Sequence, residues 1–160
     1  MDQNPFAVLS LIVAPAILTN ASSVLIMSTS NRLARAVDRA RELSKQLEAA
    51  ANFSAPDDQR RLRELRASET RTLMLLDGLR KFYVALGGFS SATLFSLLGA
   101  VLAPLQVGYT IHALVVTGVM AGVLAVGALV LGSFTLLRET RIAVQVVTER
   151  AATLHARAAG

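Results

Sequence analysis

Residues 82–137 read FYVALGGFSSATLFSLLGAVLAPLQVGYTIHALVVTGVMAGVLAVGALVLGSFTLL, 56 consecutive positions without an Asp, Glu, Lys or Arg. A helix crossing hydrocarbon needs about 20 mostly apolar residues, so this run is long enough for two crossings. Pro104, Gln106 and Gly108 interrupt it and mark a turn at 104–110. The reading is therefore two spans, 82–103 and 110–137. Residues 3–31 form a second charge-free run and supply a first span at 5–28. Pro5 suits a first helical turn with Asn4 as its cap. The Met1-Asp2-Gln3-Asn4 start carries no Lys or Arg, so this segment reads as a retained span rather than a cleaved leader.

Composition agrees. The 160 residues are 53% hydrophobic and 17% charged, with a mean hydropathy of +0.51; a soluble domain carries about 25% charged residues. A soluble globular protein and a disordered chain are both excluded. With no Cys in the sequence, disulfides, thiolate chemistry and Cys-based metal sites are excluded too. The pI near 10.7 does not indicate nucleic acid, because the basic segments lack interleaved aromatics. All sixteen Lys and Arg fall in 32–81 and 138–157. By the positive-inside rule, both blocks are expected in the cytoplasm, with the N-terminus and the 104–110 turn outside.

The block 29–81 reads as a cytoplasmic helical hairpin. It has no Gly or Pro from Ser30 to Ala55, and a turn at 52–58 is signalled by Asn52, Ser54, Pro56 and Asp57. Leu33, Val37, Ala40, Ser44, Leu47 and Ala51 recur at helical spacing on the incoming arm. Leu62, Leu65, Thr72, Leu76 and Leu79 do so on the outgoing arm, interrupted at Glu69. Residues 138–160, with Ile142, Val146 and Leu154, read as a further amphipathic helix. Nothing breaks the chain where spans meet these segments. The expected fold is one all-α domain over 1–160: three long antiparallel helices near 6–52, 57–103 and 110–158, each part transmembrane and part cytoplasmic. If 52 and 57 flank the turn, Arg32 meets Asp77, Asp38 meets Arg71, Lys45 meets Glu64 and Glu48 meets Arg61, four pairs of opposite sign.

Ala14-Pro15 in the first span and the run Asn31-Arg32-Leu33-Ala34-Arg35-Ala36-Val37-Asp38-Arg39-Ala40-Arg41 resemble the bacterial domain-of-unknown-function family 2721. The resemblance is sharpest over 9–43. It implies a small multi-pass membrane protein of bacterial origin and supplies no activity, cofactor or catalytic residue.

Candidate functional residues lie mainly in the first span. Thr19, Ser22 and Ser23 share one face with Asn20 at its edge, and Pro15 removes a helical hydrogen bond and kinks the helix. Polar groups in hydrocarbon face protein or a water-filled path, so these four are pore candidates. Hydrogen bonding to their own helix or a neighbour is the plainer account, and Asn20 is the hardest to explain that way. Small residues line Ala85, Gly88, Ala92, Ser96, Gly99 and Ala103, and again Gly118, Ala121, Gly122, Ala125, Ala128 and Gly132. Such stripes let helices approach closely. Two of them plus a polar first span exceed what three helices need, which points to a homo-oligomer. Arg32, Arg35 and Arg39 share a face where the first helix leaves the membrane, suited to anionic lipid or a neighbouring subunit, with a solvated topogenic face as the plainer reading. His112 and His155 have no companions at ligand spacing, so no metal or cofactor is expected, and no catalytic set is visible. Two function classes follow: a small oligomeric ion channel or permeation protein of the inner membrane, its first span lining the path; or a non-transporting structural or regulatory scaffold whose cytoplasmic bundle docks a protein partner.

Overall fold

Uninterrupted stretches of Ala, Leu, Arg, Glu and other good helix formers dictate long helices, and proline punctuates them. In the computed structural model, α1 runs Pro5–Glu48, α2 Pro56–Leu102 and α3 Gly108–Ala158, with a short 3-10 turn at Ala103–Leu105. Pro5 and Pro56 each open a helix, where a missing N–H removes no internal bond. The structure describes residues 5–49, 56–105 and 108–158, and side-chain surroundings for 13–49, 58–104, 108–144 and 148. The expected Asn4 cap, most of the 52–58 turn and Gln106 lie outside the described residues. So do the surroundings of Ala51, Val146, Leu154 and His155.

Each helix contains a stretch long and apolar enough to cross a membrane: Val13–Glu48, Asp58–Leu102 and Gly108–Val144, with mean hydropathies of 1.3, 1.7 and 2.5 in their most apolar windows. At most 17% of each window is buried within the chain. The apolar surface instead faces outward, through Val84, Val101, Leu124, Phe134 and many others. That is the distribution expected where lipid replaces water as the solvent.

The helices contribute to two compact units. The first comprises Met1–Ser28 and Leu79–Gly132; the second comprises Thr29–Gly78 and Ser133–Gly160. In the first unit Ala85, Phe89 and Ala125 form a buried cluster packed by Leu18, Ala128 and Leu129. A Cβ built on Gly88 would lie 2.7 Å from the Ala125 Cβ; one on Gly118 would lie 3.3 Å from Phe95; one on Gly122, 3.9 Å from Ala92; one on Gly132, 2.7 Å from the Phe82 ring. Positions rise along α3 as they fall along α2, so the two small-residue stripes face each other within one chain. The α3 stripe and the 85–92 part of the α2 stripe thus have an intramolecular role, whereas a Cβ on Gly99 would meet nothing within 4 Å and Ala103 is exposed, which weakens one of the two reasons for expecting an oligomer. Toward Pro15 the packing opens into an apolar groove of about 210 Å³ that includes Phe95, Gly99 and Val119.

Among the described residues of the second unit the buried apolar ones are Ala36, Leu43, Leu47 and Leu75. Leu33, Val37, Ala40 and Ser44 are half-buried beside them. On α2 the seam passes through Ser68 and Leu75, while Leu62 and Leu76 are exposed. The Ser68 hydroxyl donates to the Ala36 carbonyl at 3.0 Å. This contact and Arg39–Glu64 at 3.2 Å displace the two arms by roughly one and a half turns from the expected register. The cause is energetic. Close approach of Ala36 and Ser68 is a buried contact, whereas exposed ion pairs contribute only ~0.2–1 kcal/mol each and cannot hold the chain in a competing register.

Candidate functional site

Glu139, the first acid after the charge-free run 82–137, is 2% exposed. A carboxylate taken out of water is costly unless it is paired and hydrogen-bonded. Here α1 and α2 each supply a guanidinium. Arg71 donates from Nε to Oε1 at 2.8 Å, with Nη2 also at 2.8 Å. Arg32 Nη1 reaches Oε2 at 3.3 Å and the Thr140 hydroxyl at 3.4 Å. Both carboxylate oxygens are therefore held, and a residue of α3 binds arginines of α1 and α2 within the second unit.

Around this junction lies a pocket of about 330 Å³ lined by Arg32, Arg35, Arg39, Arg71, Glu139 and Thr140, with Ala36, Ser68 and Ala143 completing the wall. The i, i+3, i+7 spacing of Arg32, Arg35 and Arg39 puts them on one helical face, and the structure brings that face to Arg71. Four arginines thus line one pocket, two of them, Arg32 and Arg71, bonded to Glu139.

The expected hairpin pairs are replaced. Arg32 holds Glu139 where Asp77 was its expected partner, and Arg71 holds Glu139 where Asp38 was. Glu64 takes Arg39 and Arg60 in place of Lys45. Arg61 pairs with Asp58 on its own helix at 3.0 Å in place of Glu48, which accepts from Ser44. The shifted register and the third helix explain the exchange: the register takes the hairpin's own acids out of line with these arginines, and α3 supplies Glu139. Glu139 and Ser68 were not singled out by sequence reasoning. The one signal for Glu139 is its place, the first acid after the charge-free run 82–137, which says nothing of its burial.

The polar residues of the first span are largely occupied by α1 itself. Thr19 Oγ1 donates to the Pro15 carbonyl at 2.8 Å, Ser22 Oγ to Leu18 at 2.8 Å and Ser23 Oγ to Thr19 at 3.0 Å. This is ordinary i−4 back-bonding, which removes each hydroxyl hydrogen from outward use. Ser22 is fully buried, Thr19 half-buried, and Asn20 and Ser23 are exposed on the surface of the single chain. Among the described residues, no group of three or more His, Cys, Asp or Glu is arranged to hold a metal.

The sequence model described as "Protein of unknown function (DUF2721)" matches residues 12–149. No curated protein and no solved structure matches the chain. The match takes in the Ala14-Pro15 pair, the arginine face, the glycine-lined spans and the Glu139 junction, and by it this three-span chain belongs to the DUF2721 family.

Proposed function

We propose that the protein is a homo-oligomeric, non-transporting scaffold of a bacterial inner membrane, without enzymatic activity or cofactor, whose cytoplasmic helices dock a protein partner. The carrying observation is that Thr19, Ser22 and Ser23 give their hydroxyl hydrogens to carbonyls of their own helix. A permeation path lined by them would offer an anion few free donors, while each hydroxyl oxygen keeps its capacity to accept. The placement of every Lys and Arg in two blocks supports an orientation with 29–81 and 138–160 in the cytoplasm.

One observation favours the channel reading instead. Asn20 lies within the first span and is exposed on the chain's own surface, where an unpartnered amide in hydrocarbon is costly. It therefore requires a second copy, as a packed contact in the scaffold or as a pore lining in the channel. Purified protein in liposomes with a flux dye separates the two. As a scaffold, the wild type passes no current, and Asn20→Leu weakens self-association by about 1–2 kcal/mol in native mass spectrometry of detergent-solubilised protein. Flux that Asn20→Leu abolishes while the oligomer persists would overturn the scaffold reading.

Orientation is tested separately and cleanly, because the chain has no cysteine of its own. A membrane-impermeant maleimide should label Gly108→Cys in spheroplasts with intact inner membranes, and Pro56→Cys only after the membrane is lysed. Labelling of Pro56→Cys from outside would reverse the topology.

A further inference from the structure

We infer that the arginine pocket of the second unit is a binding site for a phosphate-bearing anion. It goes beyond the scaffold reading and does not depend on whether the protein transports. The argument starts from donors and acceptors. Ser68 spends its hydroxyl hydrogen on the Ala36 carbonyl and Thr140 spends its own on the Leu136 carbonyl. The donors left facing the pocket are guanidinium N–H groups, five to each arginine. An acceptor-only oxyanion matches these cationic donors in charge as well as in hydrogen bonding, which a neutral polyol or an amine does not.

Charge points the same way. Glu139 neutralises one of the four guanidiniums that line the cavity and Glu64, on Arg39, a second, so an excess of positive charge remains around about 330 Å³ of unfilled volume. Arg35 lines it and makes no hydrogen bond or ion pair among the described residues. Among the described residues Arg39 is engaged only by Glu64, at 3.2 Å and with its own side chain 48% exposed. Glu139 does more than neutralise: with both its oxygens bonded, it fixes Arg32 and Arg71 in place. A phosphate entering between Arg35, Arg39 and the free edges of the other two meets a preorganised fork geometry, which is the strength of arginine at phosphate sites. Arg32 follows the first span by four positions after Ser28, so the phosphate of an anionic phospholipid and free inorganic phosphate share the required chemistry.

The test uses the full chain in non-ionic detergent and in nanodiscs. Binding is measured for inorganic phosphate by calorimetry and for phosphatidylglycerol against phosphatidylcholine by native mass spectrometry. Arg35→Gln removes a side chain without internal partners and should leave the fold intact. Arg41→Gln, exposed and outside the pocket, controls for general loss of positive charge. Arg35→Gln is expected to weaken binding by about tenfold while Arg41→Gln changes it little. Selective loss of phosphatidylglycerol assigns the site to a lipid headgroup, and selective loss of inorganic phosphate assigns it to a soluble anion. No binding of either probe, or equal losses in the two variants, would overturn the proposal.

Discussion

Gly88→Ala should destabilise the protein by about 1–3 kcal/mol, and Gly87→Ala, one residue away, should not. The added methyl at Gly88 would stand 2.7 Å from the Ala125 Cβ, 3.1 Å from the Ala121 carbonyl oxygen and 3.4 Å from the Ala125 Cα. Two of these obstacles are backbone, so relief requires α2 and α3 to move apart; forced overpacking of this kind typically costs 1–3 kcal/mol, occasionally more. At Gly87 nothing lies within 4 Å. There alanine is favoured over glycine by helix propensity, by about 1 kcal/mol at most. Gly132→Ala belongs with Gly88, because its methyl would meet the fully buried Phe82 ring at 2.7 Å. Thermal unfolding in detergent, followed by helical circular dichroism, ranks the three variants. Equal behaviour of Gly87→Ala and Gly88→Ala would show that the stripes do not meet as described.

Glu139→Gln should be the most damaging exchange of a charged residue in the second unit. It leaves Arg32 and Arg71 sharing one amide oxygen and sets an NH2 group against guanidinium donors. Truncating one member of a buried ionic network can cost about 3–5 kcal/mol. The arginine side chains here are 42% and 34% exposed and can turn toward water, so about 1–3 kcal/mol is the appropriate scale. Lys45→Gln provides the contrast. Its side chain is exposed and has no ion-pair partner among the described residues, so no measurable change is expected. Chemical unfolding of both variants in the same detergent checks the difference. An unaltered midpoint for Glu139→Gln would remove the junction as a structural element.

The three helices and their apolar stretches are legible in the sequence because hydrocarbon imposes a coarse rule, a long run without charge, that chance rarely satisfies. The face carrying Arg32, Arg35 and Arg39 is equally legible, since it follows from helical spacing alone. Seam and register are not. The α2 seam passes through Ser68, a small polar residue that a count of apolar positions skips, and its compensation is a carbonyl 32 residues away. The charged pairs mislead for a related reason. In a charge-dense hairpin many registers match opposite signs, and the weak energies of exposed pairs do not choose among them. Glu139 escapes because its partners lie 107 and 68 residues earlier in the chain. Local pattern shows only an acid beside Arg138, and nothing in its neighbours says that it will be buried.

The junction also fixes an order of events during synthesis. Translation runs from the N-terminus, so Arg32 and Arg71 emerge well before the carboxylate that joins them. Until the third hydrophobic segment has left the ribosome and entered the bilayer, two cations wait without their counter-ion and the second unit lacks one of its three helical contributors. A third segment threaded in the opposite sense would deliver Glu139 to the wrong face of the membrane and leave those arginines permanently unmatched. Closure of the junction thus reports that the third segment has taken the sense that brings Glu139 to Arg32 and Arg71.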